Sequence, residues 1–238
     1  MAIFLKADWR NIIMVNYEID SNLLLPFLPK GVELDLYKGK SYISLVGFMF
    51  KNTMLFNIPI PKFGTFEEIN LRFYVCRKEG NQIKRGVVFI NETIPYKIVA
   101  WIANALYHEN YTVVPTKHSI TNDKISQKVT FQWKVNKKWN SIYVENNIQS
   151  NQMEPHSLEK FIYEHYYGYT KISKNKTEEY RLQHPIWKTH DVIDYKIECD
   201  FEAMYGKTFS CLNTIKPAAV LIAEGSSVAI DWDRTVLN

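Results

Sequence analysis

In the segment Phe66–Val75 (FEEINLRFYV), Glu68, Asn70 and Arg72 recur at every second position between Phe66 and Tyr74. Period 2 is the repeat of a β-strand. These five side chains therefore share one face, and Glu67, Ile69, Leu71, Phe73 and Val75 share the other. The second face reads as core. The first offers a carboxylate for proton transfer, an amide to orient a ligand and a guanidinium to hold an anion. Glu68 and Arg72 stand roughly 13 Å apart on a strand rising ~3.3 Å per residue, too far to pair but able to grip one ligand over Asn70. A solvated strand face with ordinary charges is the competing account.

The second candidate is Pro95-Tyr96-Lys97, just after Lys84–Ile94 (KRGVVFINETI), the expected antiparallel partner strand. Glu92 on that strand adds a carboxylate. A lysine such as Lys97 forms a Schiff base only when burial or a neighbouring cation lowers its pKa from ~10.4. Otherwise it is a solvated lysine in a first helical turn. The run from Glu164 to Tyr169 (EHYYGY) contains His165, but adjacent strand residues point to opposite faces, so Glu164 and His165 form no dyad and the run reads as packing. The histidines and cysteines lack metal-ligand spacing. Glycine-rich nucleotide motifs and a Gly-x-Ser-x-Gly elbow are also missing. Neither a metal nor a cofactor is expected.

These residues must be positioned by strands. Trp9–Ile19 reads as a first strand, and Ser41–Phe50, apolar on both faces, as a central one. Residues 57–64, with Pro59 and Pro61, read as a loop or edge. Pro95 suits a first helical position, ahead of an apolar stripe of Ile98, Ile102, Ala105 and Leu106 at helical spacing. Val129–Val135 alternates as a half-buried strand that turns into Trp139–Val144. Ser157–Glu164 reads as a short helix before a strand His165–Thr170, followed by strands Thr177–Trp187 and Val192–Cys199. Phe201–Gly206 is a helical turn, and Ala218–Ala223 and Val228–Trp232 form a closing pair. Many hairpins and few helices give a mainly β (α+β) chain, a large antiparallel β-barrel with flanking helices. No linker or repeat divides it, so residues 1–238 read as one domain.

The net charge of +4 is mild, and its lysines cluster in expected turns, at Lys137–Lys138 and at Lys171, Lys174 and Lys176. Nucleic-acid binding is therefore not expected. Lys6, Asp8 and Arg10 interrupt the apolar N-terminus, and no stretch reaches the ~18 apolar residues of a membrane span. Three widely spaced cysteines, Cys76, Cys199 and Cys211, suggest reduced thiols and a cytoplasmic protein without membrane partners.

Several motifs together resemble the uncharacterised YqjF-like family. They are Asp8–Asn11 (DWRN), Leu25–Gly31 (LPFLPKG) with Glu33-Leu34-Asp35, and Ser44–Phe48 (SLVGF). Asn70–Val75, Arg85–Ile90, Glu164–Thr170 and Ala223–Ser226 continue the match along almost the whole chain. The order of elements also resembles, more distantly, the acetoacetate decarboxylase superfamily. That resemblance implies a large barrel and Schiff-base chemistry on small oxo acids, using a lysine activated by a second cation. Here Tyr96 stands where the superfamily places its lysine and Lys97 follows alone, so genuine acetoacetate decarboxylation is not expected. The resemblance places the superfamily glutamate at Glu67 or Glu68, and strand alternation selects Glu68.

The resulting expectation is a barrel that binds a small, anionic, oxo-acid-like ligand in its lumen, with acid–base or Schiff-base chemistry. Arg72 would hold a carboxylate, Glu68 transfer a proton and Lys97 supply charge or a nucleophile. Asn70, Tyr74, Glu92 and Tyr96 would contact the ligand. The residues leave open a non-catalytic binding or sensing barrel, and a homo-oligomer formed through exposed aromatics.

Overall fold

The computed structural model describes residues 3–107 and 110–237; of residues 103 and 105–107 it describes the backbone alone. In chain order the strands are β1 (Ile3–Ile19), β2 (Glu33–Leu34), β3 (Ser41–Leu55), β4 (Ile58–Pro59) and β5 (Phe66–Glu79). Then come β6 (Gln82–Ile94), β7 (Tyr111–Val113), β8 (Thr116–Asn122), β9 (Ser126–Val135) and β10 (Lys138–Asn151). The last are β11 (Tyr167–Ser173), β12 (Lys176–Gln183), β13 (Thr189–Glu198), β14 (Ala219–Asp231) and β15 (Thr235–Leu237). The α-helices are α1 (Ser21–Leu24), α2 (Lys97–Tyr107), α3 (Leu158–Tyr163) and α4 (Phe201–Tyr205).

All fifteen strands belong to one sheet, and part of that sheet closes on itself. The pairings β1–β3–β5–β6–β11–β12 return to β1 through β14, because β12 pairs with β14 at Leu182–Ile230 and Gln183–Ala229. The mainly β, largely antiparallel architecture expected from the sequence is present, as a ring of strands with one parallel step. A closed ring of seven strands cannot alternate direction at every step, so at least one neighbouring pair must run parallel. That seam lies between β6 and β11, where Tyr167 pairs with Gly86 and Gly168 with Val87. Glycine is required there. A Cβ on Gly168 would stand 2.1 Å from the Tyr180 ring, and one on Gly86 would stand 2.6 Å from the Tyr167 carbonyl oxygen.

Beyond β14 the sheet continues through β13, β10, β9 and β8 as a layer outside the ring. Phe131, Trp133, Ile142 and Val144 of that layer share one buried cluster with Ile13, Val15, Leu45, Leu71 and Phe73. A second cluster, on the lumen side, holds Trp9, Met14, Val46, Phe48, Phe50, Phe66 and Tyr74, joined by Phe161 and Tyr163 of α3. β1, β3 and β5 lie between the two cores. That is why Ser41–Phe50 and Phe66–Val75 are buried at every residue.

Local signals account for the caps and turns. Asp20, Ser157 and Asp200 each accept a backbone N–H at the start of α1, α3 and α4. Asn136 and Lys137 both take positive φ in the β9–β10 hairpin, as a two-residue turn of that hand demands. Pro95 lies two residues ahead of α2 rather than in its first position. Of the expected stripe on α2, the Ala105 and Leu106 side chains lie outside the described residues. No helix among the described residues is long and apolar enough to cross a membrane, and the three cysteines are free thiols.

Candidate functional site

The lumen holds a cavity of about 90 Å³ to which every strand of the ring contributes. Glu68, Asn70 and Arg72 of β5 line it together, so the alternating polar row faces inward. All three are buried, Arg72 to 9% exposure. Asn70 Nδ2 donates to Glu68 Oε1 at 3.0 Å, and the Tyr111 hydroxyl donates to Glu68 Oε2 at 3.2 Å.

Glu92 of β6 also lines the cavity, for a reason that simple alternation hides. Val87, Phe89 and Glu92 all face the lumen, although Phe89 and Glu92 differ by an odd number of positions. The register between β5 and β6 slips where Leu71 pairs with Asn91 but Arg72 pairs with Phe89. This bulge at Ile90 reverses the parity of β6 and turns Glu92 inward across from Asn70.

The remaining candidates lie elsewhere. Lys97 is exposed at the start of α2 and does not line the cavity, because the strand alternation ends at Ile94 and the chain leaves the ring. Tyr96 is half-buried and packs its ring on Phe63 and Phe66, at 4.9 and 5.9 Å between centroids. Tyr74 is buried beside the site and shares a hydrogen bond of 2.5 Å with the Ser44 hydroxyl. Burial raises the Tyr74 phenol above its ordinary pKa and keeps it protonated. No lysine lines the cavity among the described residues. Those residues also contain no group of three or more metal-ligating side chains.

Sequence reasoning missed His165. It is buried, its ring lines the lumen, and it sits 4.7 Å from the Tyr74 ring and 5.1 Å from that of Phe161. Its Nε2 lies 3.1 Å from Asp35 Oδ2, and Arg85 Nε donates to the same oxygen at 2.6 Å. Burial pushes Asp35 up, but the hydrogen bonds from His165 and Arg85 outweigh it and hold the carboxyl below its usual range. An ionised Asp35 accepts a hydrogen bond from Nε2–H, which fixes the tautomer and leaves Nδ1 with its lone pair. Burial drives the His165 pKa down to about 4, against the opposing pull of Asp35, so the ring is neutral at pH 7. A neutral imidazole with a free lone pair accepts a hydrogen bond and, with its pKa at about 4, is a weak base. Its partner stands 130 residues away in sequence, so no local pattern could reveal it.

Four buried polar atoms on residues lining this cavity find no hydrogen-bond partner among the described residues: Trp9 Nε1, Asn70 Oδ1, Arg72 Nε and His165 Nδ1. Among the described residues no carboxylate is paired with the Arg72 guanidinium, which meets the Met14 sulfur at 3.6 Å and donates a hydrogen bond to the Tyr74 hydroxyl. Buried polar groups are nearly always satisfied, so four exceptions around one small cavity mark a place built to meet something else.

The closed ring, its outer layer and this lumen define an acetoacetate decarboxylase-like fold. Solved structures similar to the whole chain include an acetoacetate decarboxylase-like enzyme from Sphingomonas wittichii RW1, with TM-score 0.65 and 10% identity, covering 100% of this chain and 94% of that one. Acetoacetate decarboxylase from Legionella pneumophila gives 0.65 and 13% identity, covering 100% and 88%. The enduracididine biosynthesis enzyme MppR, complexed with pyruvate, gives 0.64 and 10% identity, covering 100% and 92%. At such identities the likeness concerns the fold. The model of the DUF2071 family, an uncharacterized conserved protein, matches residues 6–227, and the chain belongs to that family. The uncharacterized protein YqjF of Bacillus subtilis (strain 168) is 28% identical over 122 residues, 51% of this chain and 49% of that protein. The match thus spans about half the length of this curated relative.

Proposed function

We propose that the lumen binds a small organic carboxylate of oxo-acid type, with Arg72 as the anion anchor. The observation that carries this reading is the buried Arg72 guanidinium, which lines the cavity without a carboxylate partner among the described residues. A buried charge left unpaired is strongly unfavourable, and a ligand carboxylate matches its planar fork. At the other end of the polar row, the Asn70 amide N–H suits the carbonyl of the same molecule, and the Glu68 and Glu92 carboxylates suit a hydroxyl donor. The volume of about 90 Å³ suits a molecule of few heavy atoms. MppR, whose structure holds pyruvate, shares the fold and supports the choice of oxo acids as probes.

Calorimetric titration with pyruvate tests the reading. Loss of hydrogen bonds to a charged group weakens binding by roughly 10- to 100-fold in Arg72→Gln. Equal affinity in the variant would overturn the proposal.

The exposed position of Lys97 removes the support for a covalent mechanism, so borohydride treatment with pyruvate is expected to leave no adduct in the lumen. The chemistry left to the site is proton transfer. His165 Nδ1 takes a proton from the carbon beside the ligand carbonyl while the electron pair moves onto the carbonyl oxygen, giving an enol or enolate. Deuterium exchange at the pyruvate methyl group, followed by NMR, separates this from the second reading, a binding barrel without turnover. Exchange that is lost in His165→Gln supports the acid–base site. Tight binding with no exchange above the buffer rate supports the binding barrel, which the lysine-free lining of the described lumen also favours.

A further inference from the structure

A second hollow of about 110 Å³ lies against the first. The two share Phe4, Leu5, Phe50, Glu68 and Tyr111 as a common wall. Their chemistry differs sharply. The first collects the unsatisfied polar atoms, whereas the second is lined by apolar side chains, apart from Thr53 and the shared Glu68 and Tyr111. Its roof is Ile98, Val99 and Ile102 of α2, and the loop carrying Ile60 and Phe63 closes its side. The exit at Pro95 gives this arrangement a purpose. The helix that carries Lys97 away from the lumen lays its apolar side over the neighbouring hollow.

The geometry points to a ligand with two parts, a carboxylate head at Arg72 and an unbranched aliphatic tail running past Glu68 into the hollow beneath α2. The substrate class is then an oxo or hydroxy acid with a chain of several carbons, and pyruvate is only its head group. This rests on the lumen-binding reading above and adds the tail. An apolar chamber of this size, divided from a polar one only by shared side chains, favours such a tail because each buried methylene contributes about 0.8 kcal/mol, an affinity gain of about fourfold.

The test is a calorimetric series of straight-chain α-oxo acids from pyruvate to α-oxooctanoate. Dissociation constants are expected to fall about fourfold per added methylene and then level off once the hollow is filled. Ile102→Trp, which fills the hollow from a half-buried helix position, is expected to bring the ratio of octanoate-series to pyruvate affinity close to one. Val99→Phe provides the same test from a neighbouring position if the first variant folds poorly. A flat or rising series in the unmodified protein would overturn the tail, and so would a gradient that survives in both variants. If pyruvate binding depends on Arg72 while the series is flat, only the tail falls. If no member binds, or binding ignores Arg72, the lumen reading falls with it.

Discussion

On the outer face of β5, Glu67 accepts a hydrogen bond of 2.6 Å from the Thr116 hydroxyl and meets His118 Nδ1 with its other oxygen. On the lumen face of the same strand, Asn70 Oδ1 and Arg72 Nε find no partner among the described residues. Both faces are buried. Burial raises the Glu67 pKa, yet hydrogen bonds from Thr116 and His118 more than offset it, and the carboxylate stays below its usual range. At Glu67 the outer face thus treats charge as structure, with both carboxylate oxygens bonded between two layers of sheet. The lumen face leaves bonds open toward a cavity. Polarity in a strand does not reveal a site; incomplete satisfaction around a shared hollow does.

Removing apolar bulk from the outer face gives the largest expected change. Phe73→Ala leaves a cavity between the two layers and is expected to lower unfolding free energy by about 3–5 kcal/mol, read by chemical denaturation. The lumen face should respond with the opposite sign. Arg72→Met removes a buried charge that has no carboxylate partner among the described residues and is expected to stabilise the ligand-free protein by roughly 1–4 kcal/mol while abolishing anion binding. A clear loss of stability in that variant would mean that Arg72 is structural like Glu67. Glu67→Ala strands Thr116 and His118 and is expected to cost about 1–3 kcal/mol without weakening pyruvate binding.

The smallest expected effect is in pH dependence. His165 titrates at about 4 when folded and near 6.5 when unfolded, so across that window the unfolded chain holds the extra proton. Stability contributed by the neutral ring is complete above pH 6.5 and is lost as pH falls toward 4. His184, also lowered to about 4 by burial, adds to the same slope. His165→Gln should flatten thermal stability over this range only in part; an unchanged slope would show that the imidazole does not titrate as described.

What the sequence revealed, and what it concealed, follows from the range of the interactions. The inward row of Glu68, Asn70 and Arg72 was legible because alternation is a local property of one strand. The doubly buried β3 was legible because Ser41–Phe50 carries apolar residues at both parities. Glu92 was placed on the right strand, but its inward aim depends on a bulge set by pairing with β5. The parallel seam joins segments some 80 residues apart through two residue pairs, too little to leave a periodic trace. Lys97 sits where the residue pattern ends and packing decides direction, so its side chain could not be aimed from sequence. His165 was hidden for the same reason, since Asp35, just after β2, reaches it from far along the chain and is itself held by Arg85 of β6.

A crystal structure of the protein grown with pyruvate tests the central claim most directly. The account predicts the carboxylate in the lumen within hydrogen-bond distance of the Arg72 guanidinium, with the carbonyl toward Asn70. Pyruvate bound only outside the ring, with the Arg72 guanidinium paired to a carboxylate of the protein itself, would contradict it.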